Sequence, residues 1–390
     1  MTRNRAFALT SGYYTILFFS LGAYLPFWPI WLSDWGLSDS EIGHMLGVAV
    51  LARVLGATLV PALADRLAWR RVVLAISAGL SACIILGHLS AQSEAVLLML
   101  TLAMALISAP LVPIGEALGL RASERYGFAY AHARAIGSLA FLAMVLALGP
   151  VIDLFGPGSI LAVLVLSLLG AAAIGGFHPG GGAAPGIPDQ SRWPDLHRLV
   201  CNQSFLLFAA ASAFGQGAHA VYYTFSALHW SAAGFSTAEI GALWATGVAA
   251  EILLFFGPGR RWVASIGPAR AFQIAALAGL VRWGAMTMAP DGWILWVLQA
   301  MHALTFGLTL LAAMAFVSAA IPPRLAASAQ GLSAGLAGGL TMTGLTLTAG
   351  TFAGTLDPAG LYWIGVAAVI ASAVASLLLG FKWTGRRLMI

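Results

Sequence analysis

The sequence predicts an all-α membrane protein of twelve transmembrane helices in two six-helix pseudo-repeats. Three observations carry this: long apolar runs recur along the whole chain, basic residues fall in alternate loops between them, and one short motif returns at a fixed offset. Of 390 residues, 60% are hydrophobic and 8% charged, and the mean hydropathy is +0.90. A water-soluble domain cannot hide so much apolar surface, whereas a bilayer is itself an apolar solvent. The short alternating segments of a membrane β-barrel are absent from the pattern.

The expected spans are 6–32, 40–64, 71–90, 95–119, 128–152 and 158–177, then 200–229, 238–257, 270–289, 292–319, 328–354 and 360–381. Each is long enough for a hydrocarbon core of about 30 Å. Arg3 and Arg5 ahead of the first run imitate a signal peptide. That run continues to Leu32, too long for a signal segment and with no cleavage site at its end, so it is expected to stay as the first helix. Residues 178–198 differ: Pro179, Gly180, Gly181, Gly182, Pro185, Gly186 and Pro188 precede a more polar stretch. This composition marks a linker, which divides the chain into an N-terminal bundle (1–177), a cytoplasmic linker (178–198) and a C-terminal bundle (199–390).

Basic residues orient the layout. Sixteen of the 19 (Arg3, Arg5, Arg66, Arg70, Arg71, Arg121, Arg125, Arg192, Arg198, Arg260, Arg261, Arg270, Arg324, Lys382, Arg386 and Arg387) fall on one side, while the opposite loops carry Asp34, Asp39, Glu94, Asp291 and Asp357. The positive-inside rule then places both termini and the linker in the cytoplasm of a bacterial cell, the chain being an inner-membrane, multi-pass protein. The net charge of +5 therefore reports topology and gives no reason to expect a nucleic-acid partner. Cys83 and Cys201 form no disulfide framework, and no metal-ligand spacing occurs, so neither metal nor cofactor is expected.

The motif Gly36-Leu-Ser-Asp-Ser-Glu-Ile-Gly43 opens the second run, and Gly234-Phe-Ser-Thr-Ala-Glu-Ile-Gly241 opens the eighth, 198 residues later. Parallel six-helix repeats are a transporter architecture. The same offset matches Arg53 with Glu251, Phe27 with Phe225 and Tyr24 with Tyr222.

Five charges lie inside the expected spans: Arg53, Glu116, Arg134, Glu251 and Arg282. Each costs at least about 2.5–3.5 kcal/mol at the bilayer centre unless it is compensated. Structural ion pairing is the plainer reading of any one of them, and of Arg53 above all. Five together, spread over both halves, point to a polar cavity that binds solute and a coupling ion. Glu116 and Arg134, 18 residues apart on successive runs, can pair. Glu251, Arg282 and His302 make a second group, in which a neighbouring arginine sets whether the glutamate keeps its proton. A lone helical histidine is more often a packing residue. His219, in Gln216-Gly-Ala-His-Ala-Val-Tyr-Tyr223, has two phenols nearby and is a candidate contact. Most membrane aromatics pack or face lipid, but Tyr24 and Trp28 in the first run, and Tyr222 and Tyr223 in its repeat mate, are placed to stack on a ring-bearing solute.

These features resemble the major facilitator superfamily. The family's cytoplasmic loop usually reads G-x-x-x-D-R-x-G-R/K-R/K, and here Asp65 and Arg66 match, while Pro61 and Ala68 replace the glycines and Trp69 follows, ahead of Arg70-Arg71. The resemblance implies a gating role for Asp65, and with it Arg66 and Arg53 are taken as gate residues. Tyr24-Leu-Pro-Phe-Trp28, Gln216 to Tyr223, Trp244 to Glu251 and Val281-Arg-Trp-Gly284 resemble the phenylpropionate permease group along nearly the whole chain. More distantly the chain is similar to lactose permease, where a Glu and an Arg at the same spacing bind sugar. That likeness implies substrate contact at Glu116 and Arg134, and coupling roles at Glu251, Arg282 and His302. The permease's proton-carrying glutamate position is here Thr305, which leaves Glu251 as the acid of that half.

The expectation is thus a secondary transporter: a proton-coupled symporter of a small organic solute such as an aromatic monocarboxylate, working as a monomer by alternating access. Its partners are solute, protons and membrane lipid. The charges Arg53, Arg134 and Arg282 against Glu116 and Glu251 leave +1, which favours an anion. The rivals are a sugar or nucleoside proton symporter, a non-transporting membrane receptor, and a membrane enzyme, for which no catalytic cluster is found. In sealed cells, cysteines introduced before residue 6, within 178–198 and after residue 382 are expected to escape a membrane-impermeant maleimide. Labelling of any of the three rejects the topology.

Overall fold

In the computed structural model, which describes residues 1–181 and 193–389, all regular structure is helical. Ten helices among the described residues are long and apolar enough to cross a membrane, or eleven when one bent pair counts as a single span. The major helices are α1 (Arg3–Trp35), α2 (Asp39–Arg66), α3 (Arg70–His88), α4 (Glu94–Tyr126), α5 (Tyr130–Phe155), α6 (Gly158–Gly176), α7 (Gln203–Ala232), α8 (Thr237–Phe256), α9 (Pro268–Met286), α10 (Gly292–Ala320), α11 (Gly339–Phe352) and α12 (Tyr362–Lys382). The bent pair joins the short helix Gly259–Ile266 to α9 at 116°. At 14 residues α11 is too short to span alone, but the α-helical Ala326–Gln330 and the π-helical Gly331–Gly338 run directly into it. Of the linker expected at 178–198, Gly182, Pro185, Gly186, Pro188 and Arg192 lie outside the described residues.

Three of the long helices are interrupted. The α4 ladder breaks around Pro110, between Glu94–Ser108 and Leu111–Tyr126, where the proline ring removes a donor. Helix α7 loosens at Ala218 and His219. Helix α10 carries a π turn at Ala303–Gly307, a feature that re-aims side chains and recurs at functional sites. Irregular backbone at membrane depth persists only where protein or a cavity answers its polar groups.

The residues fall into two compact units. One comprises Met1–Ser38, Val48–Gly186 and Trp230–Ala242; the other Asp39–Gly47, Ile187–His229 and Leu243–Ile390. In the first unit α1 packs on α5 and α6, and α3 on α6. In the second, α12 packs on α9 and on the first half of α7. There a cluster of Phe205, Phe208, Phe272 and Phe316 fills the interior, with Phe208 stacked on Phe316 at 4.3 Å.

The repeated motif joins helices in related ways at the starts of α2 and α8. Its first glycine takes a left-handed backbone, φ 112° at Gly36 and 90° at Gly234, and at Gly36 the amide closes α1 by donating to the carbonyls of Leu32 and Ser33. In the second copy Ser-x-x-Glu starts α8 as a capping box: Ser236 N donates to Glu239 Oε2 at 2.8 Å, and Glu239 N donates back to Ser236 Oγ at 3.2 Å. Its last glycine permits close approach. A side chain at Gly43 would meet the Gly350 backbone and Phe225 Cζ; one at Gly241 would meet the Val145 carbonyl and Phe27 Cζ. Phe27 and Phe225 are themselves matched by the 198-residue offset. In the first unit the start of α8 gains a further cap from α5. Asp153 Oδ1 accepts from Thr237 N at 2.8 Å and Thr237 Oγ1 at 2.6 Å, and Oδ2 accepts from Ala238 N at 2.9 Å.

A Cβ at Gly36 or Gly234 meets nothing within 4 Å, so substitution there is penalised by backbone conformation alone. Gly36→Val and Gly234→Val are each expected to destabilise by roughly 1–2 kcal/mol, read as lower melting temperatures in detergent. Gly→Asn at the same positions, which tolerates this region, is expected to recover most of the loss; equal loss in the Asn variants contradicts the account.

Candidate functional site

Four of the five intramembrane charges gather into two groups, one in each unit, and Arg53 stands apart. In the first unit Arg134, on α5, places Nε 3.2 Å from Glu116 Oε1 on α4 and Nη1 3.4 Å from Ser138 Oγ. Both members are half-buried, with 31% and 43% of their side chains exposed. The guanidinium lies 4.3 Å from the Phe18 ring centroid and 5.8 Å from that of Tyr14, both on α1. The Tyr14 phenol in turn donates to the Gly115 carbonyl at 3.2 Å and lies 3.3 Å from the Tyr130 hydroxyl. An arginine so placed keeps an accessible edge for an anion while a ring face lies beside it. Such a site suits a carboxylate joined to an aromatic ring. Phe18, Tyr14, Tyr130 and Ser138 are not legible as site residues in the sequence; the position of Ser138, one helical turn beyond Arg134, is the one local signal.

Elsewhere in this unit Tyr24 stacks on Trp28 at 5.4 Å, Trp28 on Trp31 at 4.8 Å, and the Arg53 guanidinium caps the Tyr24 face at 5.3 Å. Asp65 pairs with Arg70 across the turn after α2, whereas Arg66, in the last turn of α2, is exposed.

In the second unit Arg282 of α9 is 0% exposed. A buried cation must be answered on every side. Its Nη1 donates to Thr305 Oγ1 at 2.9 Å and to His302 Nδ1 at 3.2 Å, and Nη2 donates to Gln299 Oε1 at 3.2 Å. Its face packs on Trp283 at 4.4 Å and Tyr222 at 4.9 Å. These bonds fix the tautomers by elimination. Because His302 Nδ1 accepts from arginine, its proton sits on Nε2, which points at Glu251 Oε2, 3.6 Å away. Because His219 Nδ1 donates to the Gln216 carbonyl at 3.1 Å, its Nε2 accepts from Thr305 Oγ1 at 3.1 Å. Tyr222 stacks on Trp244 at 4.7 Å, and Tyr223 on His219 at 5.7 Å.

The structure therefore brings Glu251, His302, Arg282, His219, Tyr222 and Tyr223 into one cluster. It adds Thr305, which stands at the permease's proton-carrying glutamate position, and Gln299, which has no signal in the sequence. The π turn at Ala303–Gly307 follows His302 immediately and contains Thr305, so both side chains turn toward Arg282. Glu251 meets the arginine through His302, where a direct Glu251–Arg282 pair was the expectation. No group of three potential metal ligands occurs among the described residues.

Comparison with known proteins agrees with this architecture. The chain is 34% identical over 321 residues, 80% of its length and 82% of the relative's, to the "Probable 3-phenylpropionic acid transporter" of Escherichia coli (strain K12). It is 26% identical to the maltose permease of Geobacillus stearothermophilus, over 87% of this chain and 85% of that protein. The crystal structure of a point mutant of the nucleoside transporter NupG superposes with a TM-score of 0.80 at 16% identity, covering 97% of this chain and all of that one. That of the D-xylose-proton symporter superposes with a TM-score of 0.72 at 13% identity, covering 99% and 100%. At such identities these two likenesses show the fold alone. A model of the MFS_1-like family matches residues 8–363. The chain thus belongs to the MFS_1-like family of major facilitator transporters, in the phenylpropionate permease group, and is a multi-pass membrane transporter and not an enzyme.

Proposed function

We propose that this transporter is a proton-coupled symporter of a small aromatic monocarboxylate, of the 3-phenylpropionate kind, in a bacterial inner membrane. The observation that carries the reading is the half-exposed Arg134 guanidinium lying on the Phe18 ring with Glu116 holding its Nε edge. A carboxylate takes the free edge of the fork, and the solute's ring takes its place among the aromatic faces of α1. In this reading there are twelve spans: the ten long helices, the bent pair ending in α9, and the segment 326–352 that ends in α11. They form two six-helix halves, 1–177 and 199–390, joined by the linker, with both termini cytoplasmic and the monomer as the working unit.

Coupling is assigned to Glu251. Its carboxylate is 17% exposed and lies beyond the Nε2–H of His302, whose other nitrogen is held by Arg282. Ionised, Glu251 supplies the negative charge that the buried Arg282 lacks among its direct partners. Protonated, it withdraws that charge and loosens the His302 contact. A proton arriving at Glu251 therefore changes the strength of an interaction shared by α8, α9 and α10, which is the physical requirement for coupling proton to conformation. Thr305 shares Nη1 of that guanidinium with His302 and, through its bond to His219, would transmit the change to α7.

Binding tests the substrate reading. In a thermal-shift titration, 3-phenylpropionate is expected to stabilise the purified protein, with sugars and nucleosides inert. Arg134→Lys keeps the charge and loses the planar fork; it is expected to weaken binding tenfold or more, about 1.4 kcal/mol. Unchanged binding by Arg134→Ala removes this residue from the site, and stabilisation by a sugar or a nucleoside instead selects the rival symporter.

Reconstituted transport tests the coupling. Glu251→Gln holds the group in its protonated form. This variant is expected to bind and exchange solute across proteoliposome membranes, yet to lose accumulation driven by an imposed pH gradient. Full uphill uptake by Glu251→Gln overturns the assignment. Loss of binding and exchange together makes Glu251 a substrate ligand or a structural partner.

A further inference from the structure

The three intramembrane arginines are answered differently. Arg134 faces a carboxylate, and Arg282 faces three neutral acceptors with a carboxylate one residue beyond. Arg53 has neither. It sits halfway along the 28-residue α2, half-buried, with its guanidinium over the Tyr24 ring at 5.3 Å. Among the described residues no carboxylate lies within ion-pair distance of it. A ring quadrupole compensates only part of a cation's charge at the depth where solvation is poorest.

The seat beneath Arg53 is rigid. Tyr24, Trp28 and Trp31 form one continuous stack, with interplanar angles of 21° and 20°. His88 closes the stack edge-on, 5.2 Å from Trp28 and 5.8 Å from Trp31. His88 is itself pinned by donation from Nδ1 to the Ile84 carbonyl at 2.9 Å and by Thr101 at 3.4 Å. Trp28, Trp31 and His88 are buried, so the ladder ends at the half-buried Tyr24, and the arginine covers that end. Contact with the Tyr24 ring and hydroxyl holds the guanidinium, and its remaining N–H groups are donors suited to an oxyanion. Two sources offer one: a lipid headgroup phosphate or a solute carboxylate. Arg53 stands midway between Asp39 and Arg66, the two ends of α2. Each end is about 20 Å of helix rise away, too far for the side chain to reach a headgroup.

We propose that Arg53, seated on the Tyr24–Trp28–Trp31 ladder, is a second carboxylate-binding post for the transported acid, with Tyr24 as its positioning residue. This rests on the aromatic-acid reading above and adds a site distinct from Arg134. It gives Arg53 a ligand-binding role in place of a purely gating one. The repeat mate of Arg53 is Glu251, so the matched positions of the two halves then carry the two cargoes of a symporter: the anion on one and the proton on the other.

The test compares 3-phenylpropionate with its uncharged primary amide, binding each to wild type, Arg53→Gln, Arg53→Lys and Tyr24→Leu in detergent, and repeats the measurement in anionic-lipid nanodiscs. Wild type is expected to prefer the acid. Arg53→Gln is expected to lose tenfold or more in acid affinity while amide affinity stays within about twofold. Arg53→Lys and Tyr24→Leu are expected to fall between these limits, and the pattern to persist in nanodiscs. An unchanged acid-to-amide ratio in Arg53→Gln overturns the proposal, as does equal loss of both ligands, the mark of a structural role. Should Arg53→Gln fail to fold, Tyr24→Leu decides by the same ratio. An effect of Arg53→Gln that vanishes without anionic lipid assigns the arginine to headgroups and rejects the post. Wild type that binds neither ligand rejects the aromatic-acid reading first, before any variant is measured, and this proposal with it.

Discussion

Hydrocarbon offers no hydrogen-bond partner, so a guanidinium with no exposed surface has to be answered wholly by protein. Arg282 imposes that requirement on the second unit. Thr305, Gln299 and His302 of α10 supply acceptors to its N–H groups, Tyr222 of α7 and Trp283 of α9 supply ring faces, and Glu251 of α8 supplies charge through His302. Tyr362 of α12 stacks on Trp283 at 5.9 Å and so joins the same assembly. Gln299, His302 and Thr305 follow one another at three-residue intervals along α10, across the start of the π turn at Ala303–Gly307, and all three reach one cation. The proton on His302 is likewise a consequence of the arginine, since the lone pair it engages leaves only one nitrogen to carry hydrogen.

Burial separates the roles of the arginines more sharply than their chemistry does. A fully enclosed Arg282 has both Nη groups bonded within the protein and acts on helices. A half-exposed Arg134, already balanced by Glu116, gives up little solvation to meet an incoming group and presents it an oriented edge. Recognition and coupling can therefore be placed on different arginines in the same chain. The aromatic residues follow the same division. Tyr222 and Trp283 cover the fully buried Arg282, whereas Phe18 and Tyr14 flank the half-exposed Arg134.

The repeated motif shows how two segments keep one backbone solution while their chemistry diverges. Gly36 and Gly234 take the same left-handed turn, and Gly43 and Gly241 admit the same close approach beside matched phenylalanines. Backbone conformation and interhelical distance are demands both segments share, so these positions are glycine in each. Side chains further along α2 and α8 carry no such demand, and there the offset pairs Arg53 with Glu251. Asp153 likewise caps α8, while the position 198 residues on is Thr351, which meets His44 at 3.1 Å.

Much of this was legible in one dimension. The lengths of apolar runs set the helices, because the bilayer core has one thickness and α-helix one rise; the run expected at 40–64 is α2, Asp39–Arg66, and that at 71–90 is α3, Arg70–His88. Intramembrane charges were conspicuous against an 8% charged background, so Glu116, Arg134, Glu251 and Arg282 were identifiable as unusual before any contact was known. Partnership was a different matter. Phe18 and Tyr14 look like any lipid-facing aromatic, Gln299 like any polar residue in a long helix, and nothing in the spacing says that Thr305 bonds Arg282 or that Glu251 reaches it through His302. In a chain 60% hydrophobic, the amphipathic stripe that orients a soluble helix is missing, since lipid and core are equally apolar. The sequence by itself determined where helices begin, end and turn, because those are set by local backbone chemistry and membrane thickness. Only the tertiary structure decided which side chains meet, because that depends on the rotation of each helix about its own axis, fixed by packing against neighbours far away in the chain.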